Sequence, residues 1–158
     1  MLELRKKKFF SNEYIAEENG DVVAELNLSI WRSQGELSIQ GRSLKLKKRG
    51  ALRDTFELLD GDTALIEVEQ PSAWRSRLRF RYEQRDFEIV DKAWYSSTLL
   101  LKSGDSVVGS ISSRGLFAEG AKVDLPDSLP LALRVFVGWI AMIHGDESAT
   151  AGAAASAG

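Results

Sequence analysis

The segment 129-LPLALRVFVGWIAMI-143 is the most apolar stretch of the chain, and Arg134 is its one charged residue. A helix on a protein surface shows an apolar stripe and a polar face, whereas here apolar side chains fall on every side. A membrane-spanning helix needs about 20 apolar residues, and a stretch in the low teens is more often a buried core helix. The segment therefore predicts a helix enclosed by the rest of the protein, with Pro130 in its first turn.

Composition limits the class of protein. The chain has 158 residues, which suits one domain. Its 21 basic and 23 acidic residues give a net charge of −2, which argues against a protein whose main role is to coat nucleic acid. There are no cysteines, so disulfides, thiolate metal sites and thiol catalysis are excluded. The first ten residues are charged where a signal peptide would need an apolar run, and a cytoplasmic location is expected.

Most of the remaining sequence shows the period-two alternation that is typical of β-strands. Clear examples are 36–40, 43–47, 63–69, 77–83, 86–90 and 98–102. Turn signals separate these segments, and three of them contain a Gly-Asp pair, at Gly20-Asp21, Gly61-Asp62 and Gly104-Asp105. The regular spacing of these three turns predicts an internal repeat.

A second set of residues repeats with the turns. Trp31-Arg32-Ser33 is followed 43 residues later by Trp74-Arg75-Ser76, and after another 43 residues by the aromatic residue Phe117. Each unit reads as a hairpin around its Gly-Asp turn, then a short loop, then a second pair of strands. Three units of four strands give about twelve strands.

A closed barrel accommodates both the strands and the apolar helix. Propellers have repeats of similar length, but they usually have four or more blades and leave no place for such a helix. Curling a sheet into a barrel removes its exposed edges and leaves a lumen that must be filled. We therefore predict a mainly β fold, a closed antiparallel barrel of about twelve strands in three four-stranded units, enclosing helix 129–143. Residues 1–144 form this domain, and the low-complexity residues 145–158 are expected to be a disordered tail.

The repeat is imperfect in its first unit. Apolar residues of units two and three sit at matching offsets from their glycines, whereas those of unit one are one residue out of phase. The sets are Ala24, Leu26, Leu28 and Ile30; Ala64, Ile66 and Val68; and Val107, Gly109 and Ile111. A β-bulge or a different turn in unit one would explain the offset.

The alternating strands followed by 123-VDLPDSLPLALRVFVGWIAMI-143 resemble the tubby C-terminal-like superfamily, and within it the small LURP-one-related and scramblase-like members. The markers are the spaced Gly-Asp hairpins and the lead-in from Asp124-Leu125-Pro126 to Pro130, and the resemblance covers residues 2–143. It implies a twelve-stranded barrel threaded by an apolar helix. Tubby proteins bind phosphoinositide head groups through basic residues on the barrel, and scramblases act on phospholipids. The chain departs from scramblases in lacking a membrane-spanning tail and cysteines for acylation, which argues against lipid transport.

A row of basic residues is the most suggestive feature for ligand binding. From residue 75 to residue 82, arginine occupies every second position, so the guanidinium groups would share one face of a strand while the residues between them point the other way. Two lysines alternate with leucines in the preceding unit. Guanidinium groups bind phosphate in a bidentate manner, so an anionic lipid head group or a phosphorylated ligand suits this face. The candidate residues are Arg75, Arg77, Arg79, Arg81, Lys45 and Lys47.

The same residues have a simpler interpretation as a solvated barrel surface. A turn at Gln84-Arg85 would place Arg81 opposite Glu88, where a cross-strand pair adds a few tenths of a kcal/mol. That register would leave Arg77 and Arg79 without a carboxylate directly opposite. A turn at Gly41-Arg42 would likewise place Lys45 opposite Ser38 and Lys47 opposite Glu36.

Two residues near the ends of the predicted helix are polar enough to take part in a site. Arg134 lies early in the helix, where its long stem can reach water at the barrel mouth; the alternative is a buried ion pair or a ligand contact. His144 follows the helix and would suit its C-terminus as a cation. A lone histidine without cysteines makes a zinc site improbable, so no metal, cofactor or catalytic residue is predicted.

These patterns leave three hypotheses for function. The first is a non-catalytic barrel module that binds an anionic phospholipid head group or a phosphorylated ligand, and so contacts membranes peripherally. The second is a module that binds another protein through a strand face or the barrel rim. The third is an enzyme with a site at a barrel mouth. Nucleic acid is not an expected partner, and no transmembrane segment is predicted.

Overall fold

The structure of the protein, a computed structural model, describes residues 1–8, 11–50, 53–71, 77–93, 96–113 and 120–157, the last thirteen of these as backbone only. It contains twelve strands and one helix in these residues. The strands are β1 Leu2–Lys6, β2 Glu13–Glu18, β3 Asp21–Leu28, β4 Gln34–Ile39, β5 Arg42–Arg49, β6 Thr55–Asp60, β7 Thr63–Glu69, β8 Leu78–Tyr82, β9 Arg85–Asp91, β10 Thr98–Ser103, β11 Ser106–Ser113 and β12 Gly120–Asp124. The helix, α1, spans Leu131–Ala157.

The sheet is a closed antiparallel barrel, as the sequence predicted. Each strand pairs with its neighbours in sequence, and β1 pairs with β12 to close the barrel. Closure brings Leu2 opposite Val123. Strand β1 thereby supplies the fourth strand of the third unit, after β10, β11 and β12.

The three units share a β-bulge at the same place. Between the paired positions of each hairpin, one residue of the second strand has no partner: Val23 in β3, Leu65 in β7 and Val108 in β11. A bulge reverses which face the following residues occupy. Ile66 and Ile111 are therefore buried while Val107, on the turn side of its bulge, is 58% exposed.

The phase offset of unit one comes from its turn. Asn19 and Gly20 are both left-handed, with φ of 55° and 86°, so glycine is the second of the two turn residues. In units two and three the glycines, Gly61 and Gly104, are the first turn residue and have φ of 61°. Moving glycine by one position in the turn shifts the inward-facing residues by one relative to it.

The two ends of the barrel differ in how their strands are connected. At one end, here called the hairpin end, two-residue turns join the strands at 19–20, 40–41, 61–62, 83–84 and 104–105, and the linker 125–130 leads into α1. At the other, the loop end, the connections are longer. They are 7–12, 29–33, 50–54, 70–77, 92–97 and 114–119.

Helix α1 enters at the hairpin end and fills the lumen. From Leu133 to Ile143 its side chains are buried on all sides, which confirms the predicted enclosed helix. Trp139 lies edge-on to Phe56 of β6, with ring centroids 5.7 Å apart, and its indole N–H donates to the carbonyl of Arg32, 3.0 Å away. The helix is thereby bound to both the barrel wall and a loop-end connection.

The helix is longer than the segment predicted from its apolar residues. It begins at Leu131 rather than at residue 129, and its backbone continues past residue 143 to Ala157. It continues through Gly145. The residues beyond it are rich in alanine, which has the highest helix propensity, and they include no proline that would break the helix.

Gly138 allows α1 to approach the sheet closely. A Cβ at this position would lie 2.7 Å from Leu4 Cδ1 and 2.9 Å from Val123 Cγ2. Both distances are below van der Waals contact, so the two strands that close the barrel, β1 and β12, meet the helix where it has no side chain.

Replacing Gly138 with leucine is expected to lower the free energy of unfolding by about 2 to 3 kcal/mol, because the added atoms overpack a filled core. Urea denaturation followed by circular dichroism measures the change. Ala132, only half-buried near the helix start, serves as the matched position, since Ala132→Leu enlarges a side chain of the same helix that is partly exposed to solvent. Equal stability of the Gly138→Leu variant and the parent would contradict the close approach.

Candidate functional site

The predicted basic row lies on the outer wall of β8, with its cations exposed to solvent and already near carboxylates. Arg77 Nε lies 3.6 Å from a carboxylate oxygen of Glu88, and Arg79 Nε lies 3.4 Å from one of Glu69. Arg81 is paired with Asp86 on the same wall at 3.9 Å. Arg75 lies outside the described residues. The described part of the row is thus neutralised by its neighbours on β7 and β9.

The register between β8 and β9 differs from the one expected. Glu83 and Gln84 form the turn, with φ of 47° and 65°, so Arg79 lies opposite Glu88 and Arg81 opposite Asp86. The expected turn at Gln84-Arg85 was therefore wrong, and so was the expectation that Arg79 faces no carboxylate. At this turn burial raises the pKa of the Tyr82 phenol, and the charge of Glu83 raises it further.

A shallow groove of about 510 Å³ runs beside this row. Its charged lining consists of Arg79 and Arg81 with four carboxylates, from Glu67, Glu69, Asp86 and Glu88. Carboxylates outnumber guanidinium groups here, so the electrostatic potential of the groove does not favour a phosphate.

The two lysines of the preceding unit have a similar environment. The turn is Gln40-Gly41, with φ of 50° and 74°, and it places Lys45 opposite Glu36 and Lys47 opposite Gln34. The expected turn at Gly41-Arg42 was therefore also wrong. Each lysine pairs with a residue two positions earlier in β4 than expected. The groove beside them, about 550 Å³, includes Glu57 as well as both lysines.

The barrel wall therefore fits the simpler interpretation of these residues, a solvated surface with cross-strand ion pairs. Exposed ion pairs of this kind contribute between about 0 and 1 kcal/mol each, and they interleave both signs of charge over the wall. Anion binding by Arg75, Arg77, Arg79, Arg81, Lys45 and Lys47 stays a prediction.

Arg134 closes the barrel mouth at the hairpin end. The residue is only 6% exposed, so its side chain does not extend into water as first expected. Its guanidinium group forms an ion pair with Glu18, lies 3.7 Å from a carboxylate oxygen of Asp127, and donates from Nε to the carbonyl of Leu129. A charge that has left water requires such partners, and these three groups supply them.

At the opposite end, His144 contacts the barrel rim. Its Nε2 lies 3.1 Å from a carboxylate oxygen of Asp91, the last residue of β9. This contact fixes the helix where it leaves the lumen. Among the described residues, no three His, Asp or Glu side chains group in a way that could hold a metal ion. None of the helical residues that are described forms a segment long and apolar enough to cross a membrane.

The two ends of the barrel carry opposite charge, which the sequence analysis did not detect. The charged side chains assigned to each end are those of the described connections, of the two strand residues on each side of each connection, and of the first two residues of β1. The basic residues at the loop end are Arg5, Lys6, Lys7, Lys8, Arg32, Lys48, Arg49, Arg53, Arg77, Arg79 and Lys92, and the acidic ones are Glu13, Asp54, Glu69 and Asp91. The acidic residues at the hairpin end are Glu3, Glu17, Glu18, Asp21, Asp60, Asp62, Glu83, Asp86, Asp105, Asp124 and Asp127, and the basic ones are Arg42, Arg81, Arg85 and Lys102.

The loop end thus has eleven basic side chains against four acidic ones, and the hairpin end has the reverse. Each end has a surplus of seven charges of one sign, although the net charge of the chain is only −2. Such a separation produces a potential that orients the molecule toward a charged surface. Some of the loop-end cations pair with carboxylates, as Arg5 does with Glu17, Lys48 with Asp54 and Arg49 with Glu57, but the basic residues at this end outnumber the acidic ones. The loop end is therefore the strongest candidate for binding an anionic partner.

Comparison with protein-family models, with curated proteins and with solved structures finds no match to this chain. Membership of the tubby-like superfamily stays a prediction from the sequence.

Replacing Glu18 with glutamine is expected to lower the free energy of unfolding by about 2 kcal/mol, because it leaves Arg134 buried without its main counter-charge. Urea denaturation measures the loss. Asp86→Asn is the control, since it breaks an exposed pair and should cost about 0.5 kcal/mol or less. Replacing Arg134 with methionine in the Glu18→Gln background should restore part of the loss. Equal costs for Glu18→Gln and Asp86→Asn would contradict a structural role for the pair.

Proposed function

We propose that this protein is a non-catalytic, tubby-like barrel module that binds anionic phospholipid head groups at a membrane surface. The contacting surface in this proposal is the loop end rather than the wall of β8. The observation that carries it is the separation of charge between the two ends of the barrel.

The expected binding energy suits reversible attachment of the protein to a membrane. Each lysine or arginine near an anionic leaflet contributes about 1 kcal/mol, and the attraction falls off within a Debye length. Several loop-end cations can reach one flat surface together, because they lie on neighbouring connections of a closed barrel. The acidic hairpin end would face away from the membrane. The cytoplasmic location expected from the sequence agrees with this, because anionic lipids are enriched in the cytoplasmic leaflet.

Two features of the structure favour a binding module over an enzyme with a site at a barrel mouth. Apolar side chains of α1 fill the lumen. The mouth at the hairpin end is occupied by the ion pair of Arg134 with Glu18. The enzyme hypothesis and the protein-binding hypothesis stay predictions from the sequence. The experiment below distinguishes lipid binding from protein binding.

Co-sedimentation with vesicles of phosphatidylcholine and phosphatidylserine, over a range of salt concentrations, tests the proposal. The parent protein should bind these vesicles, should not bind pure phosphatidylcholine strongly, and should dissociate as salt rises. The double variant Lys8→Glu/Arg53→Glu should bind at least about thirtyfold more weakly, since two contributions of about 1 kcal/mol are lost.

The control is Lys45→Glu/Lys47→Glu, which changes the net charge equally but on the wall. It should keep most of the binding, as should Arg81→Ala, which changes the residue of the predicted row that lies at the hairpin end. Loss of binding in the wall variants with retention in the loop-end variant would assign the site to the wall instead. A parent protein that ignores anionic vesicles at low salt would reject lipid binding and leave a protein partner as the better hypothesis.

A further inference from the structure

Two large apolar side chains stand in solvent at the loop end. Ile30 is 78% exposed and Trp31 is 86% exposed, which makes them the two most exposed large apolar residues in the described part of the chain. They are adjacent in the connection between β3 and β4. Exposing both to water is unfavourable, and exposed aromatic residues of this kind are characteristic of contact surfaces.

The connection that carries them is firmly held by the barrel. Within it, the Arg32 amide donates to the carbonyl of Ser29 at 2.9 Å, and the Ser29 amide donates to Gln34 of β4 at 2.8 Å. The Lys48 amide of β5 donates to the carbonyl of Ser33 at 2.8 Å. Through the carbonyl of Arg32 the connection also accepts the hydrogen bond from buried Trp139.

Arg32 shows how strongly this conformation is imposed. Its φ is +60°, a left-handed conformation that is unfavourable for a residue with a side chain and persists only where surrounding contacts impose it. Its guanidinium group lies over the ring of Tyr14, 5.6 Å from the centroid. Ile30 and Trp31 therefore project from a fixed backbone, so that little conformational entropy is lost when they are buried by a partner.

We propose that Ile30 and Trp31 form an anchor that inserts into the interfacial layer of an anionic membrane. This inference rests on the proposed function and adds an apolar contact to its electrostatic one. The argument for a bilayer as the occupant is charge complementarity. The same edge of the barrel end carries six basic residues, and three of them pair with carboxylates, Lys7 with Glu13, Lys48 with Asp54 and Arg49 with Glu57. The six are Lys7, Lys8, Arg32, Lys48, Arg49 and Arg53.

A tryptophan near basic residues is typical of protein segments that bind at a membrane interface. The indole ring prefers the head-group level, where its apolar body is buried and its N–H stays hydrated. Lysine and arginine beside it contact the anionic head groups while their stems cover apolar surface. Shallow insertion of this kind does not require a spanning segment.

The anchor also sets the orientation of the barrel on the membrane. The backbone of α1 continues beyond the loop end to Ala157, so the helix itself obstructs an end-on approach. The barrel is therefore expected to lean, so that the side that carries Ile30 and Trp31 contacts the surface.

The absence of cysteines from the chain allows a direct test with a single label. Ile30→Cys in the full chain, carrying an environment-sensitive fluorophore, should shift to the blue when vesicles of phosphatidylcholine and phosphatidylserine are added. Nitroxide lipids labelled near the head group should quench it. The control is the same fluorophore on Ser43→Cys, an exposed position at the hairpin end, which should not respond. Lys92→Glu, on a more distant connection, should weaken binding less than Lys8→Glu.

A variant separates the anchor from the electrostatic contact. Trp31→Ala should weaken vesicle binding by about tenfold without changing its salt dependence, because the lost contact is apolar. Its stability should match the parent, since Trp31 is exposed. If anionic vesicles still bind the parent but the fluorophore at residue 30 is silent and Trp31→Ala binds equally well, the anchor is rejected while the proposed function stands.

Two further outcomes distinguish the proposals. Insertion of the label into pure phosphatidylcholine as readily as into anionic vesicles would support the anchor and overturn the electrostatic proposal. No binding to any vesicle would overturn both, and Ile30 and Trp31 would then be assigned to a protein contact.

Discussion

The structure depends on one constraint, that a helix without a polar face must be covered on every side. No single sheet or helix pair can do this, because each covers one face of α1 and leaves the others in water. A closed barrel satisfies the constraint, and it also leaves no sheet edge unpaired. Enclosing the helix imposes requirements on particular residues. Gly138 is required where α1 lies against β1 and β12. Arg134 requires ion-pair partners where the helix enters the lumen.

The fold could be predicted from the sequence because its signals are periodic and mutually consistent. The strand alternation, the spaced turns and the all-apolar segment each favour the same barrel. The strand registers could not be predicted, because they depend on which two residues occupy each turn. Glu83-Gln84 rather than Gln84-Arg85 forms one of them, and this shift changes every cross-strand pair on the wall. The bulges at Val23, Leu65 and Val108 depend equally on pairing, which alternation alone does not show.

The charges along one strand do not determine the electrostatic environment of that strand. Alternating arginines in β8 were prominent in the sequence, yet their neighbours on β7 and β9 supply carboxylates that only the three-dimensional pairing reveals. The separation of charge between the barrel ends was present in the sequence but spread over many short segments. It becomes visible once the strands are known to alternate in direction, since every second connection then lies at the same end. Its sign follows the turn chemistry, because tight turns favour aspartate and asparagine, whereas the longer connections here carry lysine and arginine.

The pairing of β1 with β12 has a consequence for how the chain reaches its native state. It joins residues near the two ends of the domain, and the helix that fills the lumen follows the last strand. The inward faces of the earlier strands therefore have no apolar cover until residues beyond 130 are available, so a growing chain would carry exposed alternating strands through most of its synthesis. Folds dominated by such distant contacts form slowly, and strands that wait uncovered are prone to pair with other molecules. The architecture that gives the mature barrel no free edge thus makes its nascent form dependent on protection from aggregation.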